Sequence, residues 1–288
     1  MIKIVTDTAV SLPPDLTKQH EITLLGGYVQ FGEERFADHF EISGEQFYQK
    51  LLSARVAPVS IDPTPDAFKV IYRSVLTRFP GAEIVSVHCT SQLSTVVEAA
   101  RVAAASFPGE SIHIFDTLSV GGAQGLMVLE AAQLAERGTP VEGILARLTY
   151  MRPHVMQLFT LDTLDFLALS GRVGQVGRLI GNLLDVKPVL ALVDGRIEPH
   201  SQYRSRARVL EALRDTVIEA GQGRGRIRMG VVHADCLADA ERLAGELDFV
   251  LKPELLFVSE VSIGVGAVSG PGGLGVAWYI EPAEDAAT

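Results

Sequence analysis

The sequence predicts a two-part α/β fold. An N-terminal parallel sheet flanked by helices spans residues 1–155, a C-terminal α+β domain spans 156–282, and a frayed tail covers 283–288. Three observations carry this reading. Short apolar runs alternate with helix-patterned segments through the first half, which is the order of βαβ units. Turns rich in hydroxyl and acidic residues close several of those runs, at Thr6-Asp7-Thr8, Thr90-Ser91 and Asp116-Thr117. From Val155 onward the rhythm changes, and hairpin signals mix with helices.

The first strand is expected at residues 2–5. Ser11 ahead of Pro13 and Pro14 has the arrangement of a helix start. Residues 21–30 read as one further strand, and Gly32 opens a turn. Residues 43–52 carry a helical pattern with Phe47, Leu51 and Leu52 on one face. The segment APVSIDPTPDAF, 57–68, holds Pro58, Pro63 and Pro65, which keep it extended. It presents Ser60 and Thr64, and it suits a pocket wall or a plain connector. Thr64 or Asp66 is placed to cap a helix over 67–79.

A buried strand over 84–88 feeds a small-residue helix over 95–105, and Thr90, Ser91, Ser94 and Thr95 lie between them. Such a junction aims backbone N–H groups and the positive end of the helix dipole at one point, where a carboxylate or phosphate fits. Thr95 and Glu98 also have capping-box spacing, and Ser94 suits a plain N-cap, so capping and anion binding both stand. A strand over 111–115 follows. Residues 119–125 are glycine-rich and open a long helix to 137, and Pro140 starts another to 151. The glycines at 121–125 lack the lysine of a phosphate loop, and close helix packing explains them equally well.

In the second half, strands are expected at 156–161, 189–193, 196–198, 227–232, 255–261 and 276–280. Helices are expected at 161–169, 204–219 and 238–247. Residues 176–184 form an apolar small-residue run, Asp194-Gly195 favours a tight hairpin turn, and 264–275 is dense in glycine.

Composition narrows the function classes. The net charge is −10, which disfavours nucleic acid as a main partner. The arginine runs 204/206/208 and 224/226/228 read as solvated helix ends or local basic patches. Hydrophobic residues make up 47% of the chain, ample for a large core. No apolar run reaches the roughly 18 residues of a membrane span. MIKIVTDTAV reads as a strand entering a turn and not as a signal peptide, so a cytoplasmic location is expected. The two cysteines, Cys89 and Cys236, read as small buried side chains, and the seven histidines have no metal-ligand spacing. No metal and no cofactor are expected.

Seven ordered blocks carry a wider resemblance: KIVTDTAVSLP, PVSIDPTP, TSQLSTVVEAA, FDTLSVGGAQG, LDFLALSGRVG, VKPVLALVDGRIEPHSQYRSRARVLEAL and SGPGGLG. Together they resemble the DegV family of bacterial fatty acid-binding proteins, over almost the whole chain. The resemblance implies an apolar tunnel holding one long-chain fatty acid with its carboxylate at the mouth. It implies a carrier that does no chemistry itself. A separate fatty acid kinase would phosphorylate the carried carboxyl group, and the acyl phosphate would enter phospholipid synthesis.

By position, Ser94 falls on the family's carboxylate-binding serine, and Ser60 on the threonine that makes the second contact. Arg172 and Arg204 fall on family arginines. Thr90, Ser91, Arg172, Arg204 and Ser269 are the expected secondary head-group or mouth residues. Three departures stand out. Ile61 and Asp62 replace a serine and a glutamine, and Asp62 brings a negative charge to the expected carboxylate site. Val268 stands where the family often has a head-group histidine. Thr95 replaces a glycine.

Two other classes fit parts of the chain. Ser94 with His88 or His113 as base would make an acyl-transfer enzyme, although TSQLST is not a nucleophile elbow. The glycine stretches 121–125 and 264–275 would make a phosphate or nucleotide module, although no lysine-bearing motif accompanies them.

Overall fold

The computed structural model describes residues 1–38, 41–54, 56–172, 186–223 and 225–281. The expected apolar run at 176–184 and the tail at 283–288 lie outside the described residues.

Four parallel strands form the first sheet: β1 (Ile2–Asp7), β2 (Thr23–Leu25), β6 (Glu83–His88) and β7 (Ile112–Asp116), in the order β2-β1-β6-β7. The alternation of strand and helix produces this, because a parallel neighbour needs a crossover. The outer face is covered by α3 (Pro65–Arg78) and α4 (Val96–Ala104), through Phe68, Tyr72, Val96 and Ala100.

The opposite face packs on α5 (Gly122–Glu136). Every residue from Gly122 to Ala132 is buried, because α5 is shared with a second sheet. That sheet has six strands: β8 (Met156–Thr160), β9 (Lys187–Val193), β10 (Arg196–Tyr203), β11 (Arg226–His233), β12 (Leu255–Glu260) and β13 (Leu274–Glu281). Their order is β10-β9-β8-β13-β11-β12, antiparallel except for the β11–β12 pair. A Cβ at Gly122 would lie 3.2 Å from the Ala277 side chain, and one at Gly125 would lie 3.0 Å from the Val10 carbonyl. These glycines therefore let α5 sit close between the sheets, and the phosphate-loop reading of 121–125 is set aside. Helices α8 (Arg206–Gly221) and α9 (Leu237–Leu251) cover the far face with Val209, Leu213, Leu243 and Leu247.

A small third sheet holds β3 (Tyr28–Phe31), β4 (Glu34–Ala37) and β5 (Val59–Ile61) in the order β4-β3-β5. It packs with α2 (Gly44–Ser53) and α10 (Ile263–Ser269) around Phe31, Phe47 and Ile263. The remaining helices are α1 (Pro14–Gln19), α6 (Val141–Met151) and α7 (Asp165–Leu169).

Several expectations are corrected. The strand expected over 21–30 is two strands in different sheets, broken at Gly26-Gly27. A Cβ at Gly27 would lie 2.0 Å from the Ile61 carbonyl oxygen, so the chain can pass there only as glycine. Ser11 does not cap α1; it sits at φ 46° after a 3-10 turn over Thr8–Val10, and Pro13 precedes the helix without a side-chain cap. Leu52 is 69% exposed, because Phe47, Tyr48 and Leu51 form the buried stripe and Leu52 falls about 40° beyond it at 100° per residue. The glycine-dense 264–275 contains α10, capped by the Ser262 hydroxyl on the Val265 amide. The arginine runs are not simply solvated: Arg206 pairs with Asp239 and Asp162, and Arg228 pairs with Glu130. Cys89 is buried, whereas Cys236 is only half-buried. Among the described residues, no helix is long and apolar enough to cross a membrane.

Candidate functional site

The carboxyl ends of β1 and β6 face the carboxyl end of β8 and the β9–β10 hairpin. Ligands bind outside the carboxyl ends of strands in open α/β sheets. A cavity of about 1200 Å³, its open mouth included, lies there. Its walls are mostly apolar, with Leu93, Phe159, Leu161, Leu192, Ile197 and Val265 among them. The charged residues among its described lining are Asp7, Asp38, Asp62 and Arg172.

The expected residues fall into two sets. Ser60, Ser94, Thr90, Arg172 and Ser269 all line this cavity, brought from four separate stretches of chain. Ser91 and Arg204 do not line it; both are exposed, and the Ser91 amide points at Asp116 Oδ1 at 3.4 Å.

Ser60 is held by the third sheet, where it stands opposite Val29. Its hydroxyl makes no hydrogen bond among the described residues, and it lies close enough to α10 that a Cβ at Gly264 would come 3.5 Å from it. Ser269, at the end of α10, donates to the Gly270 carbonyl at 3.2 Å.

Ser94 is engaged. Its hydroxyl donates to Asp62 Oδ2 at 2.8 Å, and its oxygen accepts from the Val96 amide at 3.2 Å. The same Asp62 oxygen accepts from the Thr95 amide at 2.7 Å and the Thr95 hydroxyl at 2.8 Å. Thr95 occupies the N-cap position without a side-chain cap on the helix, so the expected Thr95–Glu98 capping box is absent. The start of α4 does take an anion, but that anion is the chain's own Asp62.

Thr90 is buried, donates to the Gly195 carbonyl at 3.1 Å and accepts from the Gln92 amide at 3.1 Å. Arg172 Nε donates to the Leu93 carbonyl at 2.8 Å, and Arg196 Nη2 donates to Gln92 Oε1 at 3.0 Å. The 90–93 turn is thereby gripped by three groups of the C-terminal half. The hairpin tip has positive φ at Asp194 and Gly195, as its type I′ expectation requires.

Beneath the cavity floor lies a buried polar chain. His88 Nδ1 donates to Asp7 Oδ2 at 3.0 Å, its Nε2 meets Ser86 Oγ at 2.7 Å, and Ser86 meets the Tyr72 hydroxyl at 2.9 Å. Burial pushes the Asp7 carboxyl up. His88, the Cys89 amide and Gln124 outweigh it and hold the group below its ordinary value. Burial, reinforced by Asp7, pushes the Cys89 thiol well up, so it stays protonated at neutral pH. His88 is thus committed to Ser86 and Asp7, and His113 to Ser111 at 2.8 Å. Neither expected base reaches Ser94, so that nucleophile–base pair is not assembled.

Sequence reading missed Asp38 and Gln157. Asp38 accepts from the Thr8 hydroxyl at 2.6 Å and from the Ile263 amide at 3.1 Å, tying the first sheet to α10. Gln157 accepts from the Ala123 amide at 3.0 Å. Neither lies in a periodic pattern, and both partnerships are remote in sequence, so no local signal marks them.

A mostly apolar cavity with several hydroxyls in its lining suits an amphipathic molecule. Comparison with known proteins agrees in fold. The sequence profile described as the DegV family matches residues 1–281. A DegV domain-containing protein of Streptomyces coelicolor is 34% identical over 96% of this chain and 97% of its own length. A Thermus thermophilus DegV family protein, described for its fatty acid binding, superposes with TM-score 0.90 at 31% identity, covering 97% of this chain and 99% of its own. DegV of Bacillus subtilis, a fatty acid binding protein, superposes with TM-score 0.88 at 26% identity, over 97% of this chain and 99% of its own. This chain belongs to the DegV family.

Proposed function

We propose that this protein is a non-catalytic carrier of one long-chain fatty acid. The acyl chain lies in the apolar cavity, and the carboxyl head lies at the Ser60–Ser94 end, with Thr90, Arg172 and Ser269 beside it. Ser91 and Arg204 belong to the outer mouth in this reading. The N-terminal domain, 1–155, supplies the hydroxyl turn, and the C-terminal domain, 156–282, supplies the facing wall. The carrier presents the head group to a separate fatty acid kinase, which forms the acyl phosphate for phospholipid synthesis, in the cytoplasm.

One observation carries the proposal: a cavity with mostly apolar walls has in its lining a hydroxyl, Ser60, that makes no hydrogen bond among the described residues. The fatty acid-binding DegV relatives support it. The energetics agree. Each buried methylene contributes roughly 0.8 kcal/mol. Ten of them give about 8 kcal/mol, near micromolar affinity before ordering costs. The polar end then has only to satisfy the head group, since a buried unpaired polar group is costly.

The test is native mass spectrometry of protein purified without detergent, followed by lipid extraction. One fatty acid per chain, lost in the Ser60→Ala/Ser94→Ala double variant, is the expected result. A protein that is empty and refuses added fatty acids removes the reading. For the kinase step, transfer from nucleotide to the carried acyl group in the presence of a purified fatty acid kinase is expected, and none without it.

A further inference from the structure

Asp62 already holds what a bound carboxylate would need. Its Oδ2 accepts from the Ser94 hydroxyl, the Thr95 amide and the Thr95 hydroxyl. A serine hydroxyl has a single proton to donate. With that proton on Asp62 and its oxygen accepting from Val96, Ser94 has no donor left for a ligand.

The charges of the cavity point the same way. Asp7, Asp38 and Asp62 line it against Arg172 as the one cation among the described lining residues. Arg172 already donates through Nε to the Leu93 carbonyl. Asp7 accepts from His88, and Asp38 accepts from the Thr8 hydroxyl and the Ile263 amide. Cys89, at the end of β6, stays a neutral thiol. Nearby on the surface, Glu98 faces Arg101 along α4 and Asp66 faces Lys69 along α3, so each negative charge there has its own counter-ion. Asp62 accepts from hydroxyls and an amide, and among the described residues no cationic side chain hydrogen-bonds to it.

Two carboxylates brought within hydrogen-bonding distance of one another do not both stay ionised, since one proton between them replaces repulsion by a hydrogen bond. We propose that Asp62 makes the head-group end require a proton: the ligand binds with a head-group O–H donating to Asp62. A fatty acid is then taken up together with one proton, as an acid–carboxylate pair with a strong charge-assisted hydrogen bond. A fatty alcohol of equal chain length satisfies the same acceptor with no proton uptake. Asp62 acts here as a specificity residue for head groups that donate. This inference rests on the acyl-cavity reading above.

The test is calorimetric titration of the full chain with dodecanoic acid and with 1-dodecanol, kept below aggregation, in buffers of different ionisation enthalpy. At about pH 7.5, where a free carboxyl is ionised, one proton is taken up per acid bound and none per alcohol. The acid's Kd weakens about tenfold per pH unit between about pH 6.5 and 8.5, and the alcohol's Kd stays flat. In Asp62→Asn, whose fold is checked by circular dichroism, acid binding loses its proton uptake and becomes flat with pH. Acid binding by the unmodified protein without proton uptake and without pH dependence overturns the role of Asp62 and leaves the carrier reading standing. Failure of the unmodified protein and of Asp62→Asn to bind acid or alcohol at any of these pH values overturns the carrier reading itself. Because the decisive titrations use the unmodified protein, misfolding of the variant does not blunt them.

Discussion

Thr90 and Gly195 lie 105 residues apart, and the Thr90 hydroxyl donates to the Gly195 carbonyl at 3.1 Å. This bond sets the β9–β10 hairpin tip directly on the hydroxyl turn and roofs one side of the cavity. A Cβ at Gly195 would lie 2.2 Å from Thr90 Oγ1, and the residue sits at φ +81°. Gly195→Ala therefore forces the hairpin off the turn and strains the backbone. The expected cost is about 1–3 kcal/mol, read as a lower Tm and faster release of bound acyl ligand. An unchanged Tm and release rate would show that the tip does not need this seat.

The two hydroxyls proposed to meet the head group are unequal. Ser60 is uncommitted among the described residues, whereas the Ser94 proton is already on Asp62. Ser60→Ala should thus weaken acyl binding by about 1–3 kcal/mol. Ser94→Ala removes an orienting contact to Asp62 and the acceptor of the Val96 amide, and should weaken acyl binding by about 0.5–1.5 kcal/mol. Competition titration with a fluorescent fatty acid measures both. The reverse order would mean that Asp62 withdraws when ligand enters and that Ser94 then contacts the head group directly.

Local pattern made much of this architecture legible. Apolar runs of strand length, alternating with helical periods, give β1, β6, β7 and their helices within a few residues. Asp194-Gly195 announces its turn because few residue pairs adopt two positive φ values. Other features depend on distant partners. Helix α10 forms among glycines because Gly266 lets its backbone pack on α2, where a Cβ would come within 2.6 Å of the Tyr48 hydroxyl. Propensity there points away from helix, and packing overrides it. The strands β4 and β5 are four and three residues long, too short to show a period. At the candidate site, position against a family pattern brought five residues into one cavity. It could not tell which way Asp62 would turn, because that depends on a partner 32 residues further along.

Asp7 couples the cavity floor to acid stability. Its carboxyl is held low in the folded protein from a value of 3.8, so the unfolded chain binds the proton more readily. Stability from this group is complete above the unfolded-state value. It is lost as pH falls below about 3.8 and passes through the lowered folded-state value. Asp7→Asn should therefore flatten the acid limb of a Tm-against-pH curve and lower the plateau near neutrality. The plateau drop is expected at about 1–3 kcal/mol, because His88, the Cys89 amide and Gln124 lose a buried charged acceptor. An acid limb as steep as in the unmodified protein would place the acid-sensitive group elsewhere.

Outside the cavity, Glu130 of α5 ties α6 to the neighbouring strands β11 and β13 of the second sheet. Its Oε1 accepts from Arg147 Nε at 2.7 Å, and its Oε2 accepts from Arg228. Arg147 also reaches Glu281 on β13, and Arg228 reaches Gln133. Glu130 is 9% exposed, and both arginines are mostly covered. Removing the carboxylate leaves Arg147 with Glu281 but leaves the mostly covered Arg228 with only the neutral Gln133. Breaking a covered pair from one side costs more than the pair contributes, since the remaining charge stays poorly solvated. Glu130→Ala should lower stability by about 2–4 kcal/mol, while Glu130→Gln, which keeps one acceptor, should lower it by less. Denaturant titration separates them, and acyl binding should be unchanged in both at temperatures where they stay folded, because this network lies outside the cavity. Equal stabilities for the two variants would show that packing, and not charge, is what Glu130 contributes.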